Sequence, residues 1–464
     1  MTTEVSNRLH RTGHWLPQDP EVHQRWLDGL ISDVDKKHPK PLKPEIQEFQ
    51  DLIEGDITLK VLVSLMFQEV PIKEPYNNDP EMQPQVRDYK HMLKLIDHIM
   101  DSGPKWSVID GKSTGLIGFP INAILDWPMG TYSGNAFFLR PEVQKQFGKI
   151  LKSWEQYLST SASLSVLTDA EDGWLSGSAI NELKTKGNND VSDYTFEQLY
   201  VCEPSLPYHG FSSWDSFFIR EFREGIRPLE GTHGAPTGLP PFEPENAVAI
   251  YNACESCPVF LRRDVHYHAP FWLKGQKYSL GDMMNHDTLA HTFVGGTIYQ
   301  AFLSALSYHR WHSPISGTIV KKYNVEGSYY SENYFQGFAN TETGPDPAAP
   351  DHSQAYITGI AARAVIVMMA DDPAIGLMGL VFVGMCEVSS NEITVEEDQH
   401  VNAGDQLGMF HFGGSTHCLI FRKEVDVKFA LEPNNGTEYN PAPDHNMPLR
   451  SIIAVVKKSG ANGA

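Results

Sequence analysis

Residues 411–420 read "HFGGSTHCLI", a Gly-Gly-Ser-Thr step between two apolar runs. Taken alone the step is a turn, since Gly admits unusual backbone angles and Ser and Thr are common turn residues. It could also be a place of chemistry, since Ser415 offers a hydroxyl that a base could activate. Well upstream, "SYHRWHSPISGTIV" (307–320) sets His309 and His312 three apart before a Pro-Ile-Ser-Gly turn and a strand. The two histidines could be surface residues near a turn or a metal-ligand pair with no evident third member. A third reading makes His312 the general base for Ser415.

The elements that must hold these residues divide the chain in two. "PEVQKQFGKILKSWEQYL" from Pro141 places Val143, Phe147, Ile150, Leu151, Trp154 and Leu158 on one helical face behind a first-turn proline. "PEIQEFQDLIEGDITLKVLVSLMF" repeats the pattern through Ile46, Phe49, Ile53 and Ile57, with Gly55 and Thr58 weakening a single unbroken helix. A helical domain over residues 1–200 is expected. "YHGFSSWDSFFIREFREGIRPLEG" then reads as a short capped helix, and "THGAPTGLPPFEPEN" as a connection. Beyond it "AVAIYNA", "GTIVKKYNV", "AARAVIVMMA", "GLMGLVFVGM", "NEITV" and "SIIAVV" are β-branched runs parted by turn residues, so 201–464 is expected to be β-rich. The long polar and aromatic stretch from Ser328 to Tyr356, with Tyr329, Tyr330, Tyr334 and Phe335, reads equally as a lid or an unstructured insertion.

Bulk properties narrow the classes. A chain of 464 residues suits two or three domains at roughly 150 residues each. The balance of 37 Lys+Arg against 58 Asp+Glu, net −21, disfavours nucleic acid and anionic lipid as partners. The N-terminus lacks a signal-peptide apolar core, and no run approaches the roughly 20 apolar residues of a membrane span, so a soluble cytoplasmic protein is expected. Five cysteines at irregular spacing argue against a disulfide framework. "CESC" reads as buried thiols before it reads as a zinc or redox motif.

Five pieces in one order, "FSSWDSFFIREFREGIRP", "KGQKYSL", "YHRWHSPISGTI", "LVFVGM" and "VNAGDQLGMFHFGGST", resemble the phosphatidylserine decarboxylase family over about residues 208–458. "IQEFQDLIEGD", "SWEQYL", "DGWLS" and "CESCPV" extend the resemblance to the soluble fungal members with an extra helical domain, the L-tryptophan decarboxylase type. The resemblance implies an α+β fold, an N-terminal helical domain followed by a mainly antiparallel β-rich catalytic domain. It also implies self-cleavage between Gly414 and Ser415, in which Ser415 Oγ attacks the Gly414 carbonyl and exchanges an amide for an ester. β-Elimination then leaves dehydroalanine, which hydrolyses to a pyruvoyl group at 415 and releases ammonia. Residues 1–414 and a chain of 464 − 414 = 50 residues would result and stay associated.

On this resemblance the pyruvoyl group is the cofactor and no metal is called for. The substrate amine forms a Schiff base, and the conjugated carbonyl takes up the electrons that CO₂ leaves behind. His312 matches the base for self-cleavage. His309 is a proton donor, a positioning group or a structural histidine, and Thr416 either hydrogen-bonds the scissile region or packs. Where membrane members carry an acid to orient that base, "NACES" offers Cys254 and Glu255, and Glu255 is the expected replacement, with Asp264 in reserve. Gln276 stands where phospholipid-type members usually have His. An acidic chain with neither docking patch nor anchoring helix points to a free aromatic amino acid, foremost L-tryptophan. Phosphatidylserine decarboxylation is the alternative, a serine hydrolase or inactive homologue the next. Homo-oligomerisation stays open.

Overall fold

The computed structural model describes residues 20–38, 40–70, 86–106, 108–109, 112–113, 120–231, 247–269, 278–331, 333, 353–387, 390–412, 414–430 and 446–458. Tyr334, Phe335, Gln276 and the Pro- and Gly-rich connection lie outside them. The described helices of the first half are α1 (Pro20–Asp35), α2 (Pro44–Gly55), α3 (Ile57–Gln68), α4 (Tyr89–Ile99), α5 (Pro120–Met129), α6 (Tyr132–Phe138), α7 (Pro141–Leu158), α8 (Gly177–Asn188) and α9 (Phe196–Leu199). The short helix α10 (Trp214–Phe218) follows, started by a reciprocal capping box between Ser213 and Ser216.

Helix α7 forms as its spacing requires, with Pro141 in the first turn and Val143, Phe147, Ile150, Leu151, Trp154 and Leu158 all buried. The expected face through Ile46, Phe49, Ile53 and Ile57 is interrupted. Gly55 ends α2, extended Asp56 turns the chain, and its carboxylate caps α3 by accepting from the Thr58 and Leu59 amides at 2.7 and 3.1 Å. Ile57 thereby starts a new helix and is 74% exposed instead of joining the core.

The strands are β1 (Val108–Ile109), β2 (Lys112–Ser113), β3 (Ala247–Tyr251), β4 (Cys257–Arg263), β5 (Thr297–Leu303), β6 (Arg310–His312), β7 (Gly317–Val325), β8 (Arg363–Ala370), β9 (Leu377–Met385), β10 (Asn391–Ile393), β11 (His400–Val401), β12 (Gln406–Phe410), β13 (Gly414–Phe421), β14 (Val427–Phe429) and β15 (Ile452–Lys457). Seven make one antiparallel sheet in the order β11-β7-β8-β9-β13-β5-β4. Two three-stranded sheets, β10-β12-β6 and β14-β15-β3, accompany it. Helical and β-rich parts share one contiguous buried core, from Phe49 and Phe147 through Phe412 to Leu419.

Strand β13 lies inside the large sheet, with Ser415 opposite Leu303 of β5 and Gly384 of β9. The stretch expected to be a turn is therefore strand from Gly414 onward, and two ladders fix its backbone. Every residue of β5 is buried. Such a strand shows no apolar–polar alternation to betray it, because both of its faces are covered. On one face Trp311 of β6 stacks on Phe382 of β9, with centroids 4.1 Å apart and planes at 10°, locking the small sheet onto the large one.

Candidate active site

Strand pleating sends alternate side chains to opposite faces, so Ser415 and His417 share one face of β13 and Thr416 takes the other. Ser415 is fully buried, and its Oγ has no hydrogen-bond partner among the described residues. Thr416 is satisfied: its hydroxyl donates to the Ala301 carbonyl at 2.9 Å and accepts from Gln300 Nε2 at 2.9 Å, while Gln300 Oε1 accepts from the Tyr278 hydroxyl at 2.6 Å. His417 is fully buried, neither ring nitrogen has a hydrogen-bond partner among the described residues, and burial lowers its pKa to about 3. Its place two residues from Ser415 on one strand was a readable signal, yet only the strand assignment gives it meaning.

His312 ends β6, directed away from Trp311. Its Nδ1 lies 2.9 Å from the Gly404 carbonyl and 3.2 Å from Arg450 Nη2, and its Nε2 lies 3.3 Å from the Tyr308 hydroxyl. Burial, and then the positive charge of Arg450, lower its pKa to about 3, so the ring is neutral at pH 7. Arg450 donates to the same Gly404 carbonyl at 3.0 and 2.7 Å. His309 is fully buried against Phe218, ring centroids 4.0 Å apart. Burial, and then the Arg220 charge, hold it well below the usual histidine range. The Ser307 backbone opposes this weakly, without a hydrogen bond of acceptable geometry.

The His312 amide donates to the Ala253 carbonyl at 2.8 Å, two residues before Glu255, but no hydrogen bond joins the Glu255 and His312 side chains. The buried Glu255 carboxylate accepts from Arg227 Nε and Nη2 at 3.0 and 2.7 Å and from the Leu449 amide at 2.8 Å. The Gly404 carbonyl occupies the position at Nδ1 that the acid was expected to fill. Asp264 has a left-handed backbone, φ 57°, just past β4. Nor does a hydrogen bond join Ser415 to either His309 or His312. Cys254 and Cys257 are buried, and neither is in a disulfide among the described residues.

Four residues before Ser415, His411 bridges two carboxylates: Nδ1 lies 2.9 and 3.1 Å from the Asp215 oxygens and Nε2 2.9 Å from Glu392. Burial disfavours the charge, but Asp215 and Glu392 outweigh it and raise the pKa to about 9. The segment entering Gly414 is thus tied to α10 and β10. A folded pKa above the usual 6.5 gives stability that is fully present below pH 6.5 and lost as pH rises through about 9. His411→Asn should therefore cost on the order of 2 kcal/mol at pH 6, after discounting half-exposed Glu392 for screening, and almost nothing at pH 10. Urea denaturation at both pH values checks this, and equal losses would remove the charged bridge.

A cleft of about 1420 Å³ opens between α7 and the sheet, with Gln144, Lys152, Tyr323, Arg363, Asn391 and His411 in its wall. A narrow crevice lined by Trp154, Phe412 and Glu387 shares Glu155, Ser390 and His411 with it. Of the expected lid aromatics, Tyr330 is fully buried between Phe138 and Phe147, and the Tyr329 amide donates to Gln144 at 2.9 Å.

An α+β chain with a buried serine behind glycine on a doubly paired strand is, by its matches, an enzyme of the decarboxylase class, a carboxy-lyase. Models of phosphatidylserine decarboxylase match residues 43–183 and 214–440. The chain belongs to the phosphatidylserine decarboxylase family. It is 38% identical to the decarboxylase iboD of Amanita muscaria over 375 residues, 79% of this chain and all of the relative. To the L-tryptophan decarboxylase of Psilocybe cubensis it is 33% identical over 441 residues, 92% of each chain. To that of Psilocybe cyanescens it is 35% identical over 427 residues, 89% of each. Among the described residues no helix is long and apolar enough to cross a membrane.

Proposed function

We propose that this chain is a self-processing, pyruvoyl-dependent decarboxylase of a free aromatic amino acid, foremost L-tryptophan, acting in the cytoplasm. The observation that carries it is Ser415: a buried hydroxyl without a partner, placed directly after glycine at the head of a strand paired on both sides. An oxygen held this way is not spent on stability. The helical part, residues 1–200, and the catalytic part, 201–464, belong to the same proposal.

Ser415 Oγ adds to the Gly414 carbonyl carbon and the C–N bond breaks. A base, His312 in this reading, takes the hydroxyl proton, which passes to the departing amine. Loss of the Ser415 α-proton expels the Gly414 carboxylate, and one water releases ammonia. The residues present fit the product: position 415 is enclosed, its neighbours are strand-paired, and among the described residues no cationic side chain is hydrogen-bonded to it. When formed, the pyruvoyl group supplies a ketone for the substrate amine and an electron sink for the bond to CO₂. Next to it, Thr416 is held by Gln300 and the Ala301 carbonyl, and a little upstream Phe412 packs against Trp154 and Phe218.

The identities above to two L-tryptophan decarboxylases support the choice of substrate. Purified enzyme should release amine and CO₂ from tryptophan, with phenylalanine and tyrosine assayed alongside. Release of CO₂ from phosphatidylserine vesicles, and from none of the three amino acids, would sink the reading in favour of the phospholipid alternative.

A further inference from the structure

Strand β9 ends at Met385, the residue paired with Gly414. The next residue, Cys386, has a left-handed backbone, φ 56°, and turns the chain so that Glu387 enters the seam between sheet and helices. Glu387 Oε1 accepts from the Ile121 and Asn122 amides at 2.6 and 2.9 Å, at the N-terminus of the ten-residue helix α5. Its Oε2 is buried without a partner. Asn122 Oδ1 accepts from the Cys386 thiol at 3.1 Å, which leaves its Nδ2 as the unpartnered end. The fully buried Tyr330 hydroxyl, electrostatically coupled to Glu387 and Cys386, is also unpartnered.

We propose that Asn122, Tyr330 and Glu387 form a carboxylate-binding site at the seam between the two halves of the chain, beside the Gly414 end of β13. The argument is one of unmatched donors. Asn122 Nδ2 and the Tyr330 hydroxyl donate by their chemistry. Burial raises the Glu387 pKa to about 8, so at pH 7 its carboxyl is mostly protonated, and two amides on Oε1 leave the proton on Oε2. Three buried donors from three chain segments therefore lack an acceptor, and the N-terminal end of α5 favours negative charge there. A carboxylate satisfies all of them. The narrow crevice that Glu387 lines, about 10 Å³, meets the large cleft at Glu155, Ser390 and His411.

Two carboxylates are available near this point on the proposed function: the α-carboxylate of the substrate and the new C-terminal carboxylate of Gly414 after cleavage. Conservative variants distinguish them. Tyr330→Phe removes one oxygen and keeps the ring packing, and Glu387→Gln keeps the shape. Calorimetric titration with indole-3-propionate, which has a carboxylate but no amine, and with tryptamine, which has the reverse, reads the first source. Loss of about 10- to 100-fold in affinity for indole-3-propionate alone assigns the site to the substrate. Unchanged affinity, with slowed cleavage or early loss of the 50-residue chain in gel filtration, assigns it to Gly414. Variants that match wild type in both measurements overturn the site. Neither readout needs turnover, so an enzyme that decarboxylates no amino acid would defeat the proposed function and leave this inference standing.

Discussion

Ser415→Ala should leave a single 464-residue chain without amine-forming activity, whereas denaturing mass spectrometry of the wild type should resolve residues 1–414 and a 50-residue fragment with a blocked start. The expected loss of activity is at least about 10⁴-fold, since the variant loses both the attacking oxygen and the group made from it. Failure to fold does not explain that outcome in advance. The Ser415 backbone pairs with Leu303 and Gly384 whatever its side chain, and its Oγ forms no bond that alanine would forfeit. Removing a buried, unpaired hydroxyl is neutral or stabilising by about 1 kcal/mol. The variant should therefore melt no lower than the wild-type precursor while doing nothing. Cleavage at 414 in the alanine variant, or an uncleaved but active wild type, would end the pyruvoyl reading. His312→Ala and His417→Ala, compared for cleavage rate, separate the histidine on β6 from the one that shares Ser415's own face.

The helical half was legible where one face alone is buried. Val143 to Leu158 repeat at helical spacing because their opposite side is wet, and the structure buries each of them. Ile57 followed the same spacing and lies in solvent, because the Asp56 cap outweighs periodicity at that point. In the β-rich half, "GTIVKKYNV" is a β-branched run behind a turn glycine and forms β7 with those bounds, whereas "TIYQAFL", the strand beside Ser415, is buried throughout and has no alternation to read. Ser415 and Gly414 were singled out by the family resemblance of the segments around them, since the Gly-Gly-Ser step read alone is a turn. The surroundings of His312 were not readable in that way. Its partners Tyr308, Gly404 and Arg450 come from three segments, and Gly404 contributes a backbone carbonyl that carries no side-chain signal.

Breaking the Arg227–Glu255 pair should be the most destabilising single change available near the site. Both side chains are almost completely enclosed, 5% and 1% exposed, and joined by two hydrogen bonds. Arg227 also donates to the Gly187 carbonyl of α8 at 2.6 Å, and Glu255 receives the Leu449 amide at 2.8 Å. The pair thereby fastens the helical half to the bend before β4 and to the segment carrying Arg450, which sits on His312. Arg227→Met strands a buried carboxylate with one amide for company, at a cost of about 3–5 kcal/mol in urea denaturation. Arg227→Met with Glu255→Leu should recover most of that loss, because two apolar residues need no solvation. Cleavage at 414 should fall only in proportion to unfolding in all these variants. If Glu255→Gln instead halts cleavage while the urea midpoint stays at the wild-type value, Glu255 acts through His312 after all, and its bond to Arg227 serves that task instead of stability.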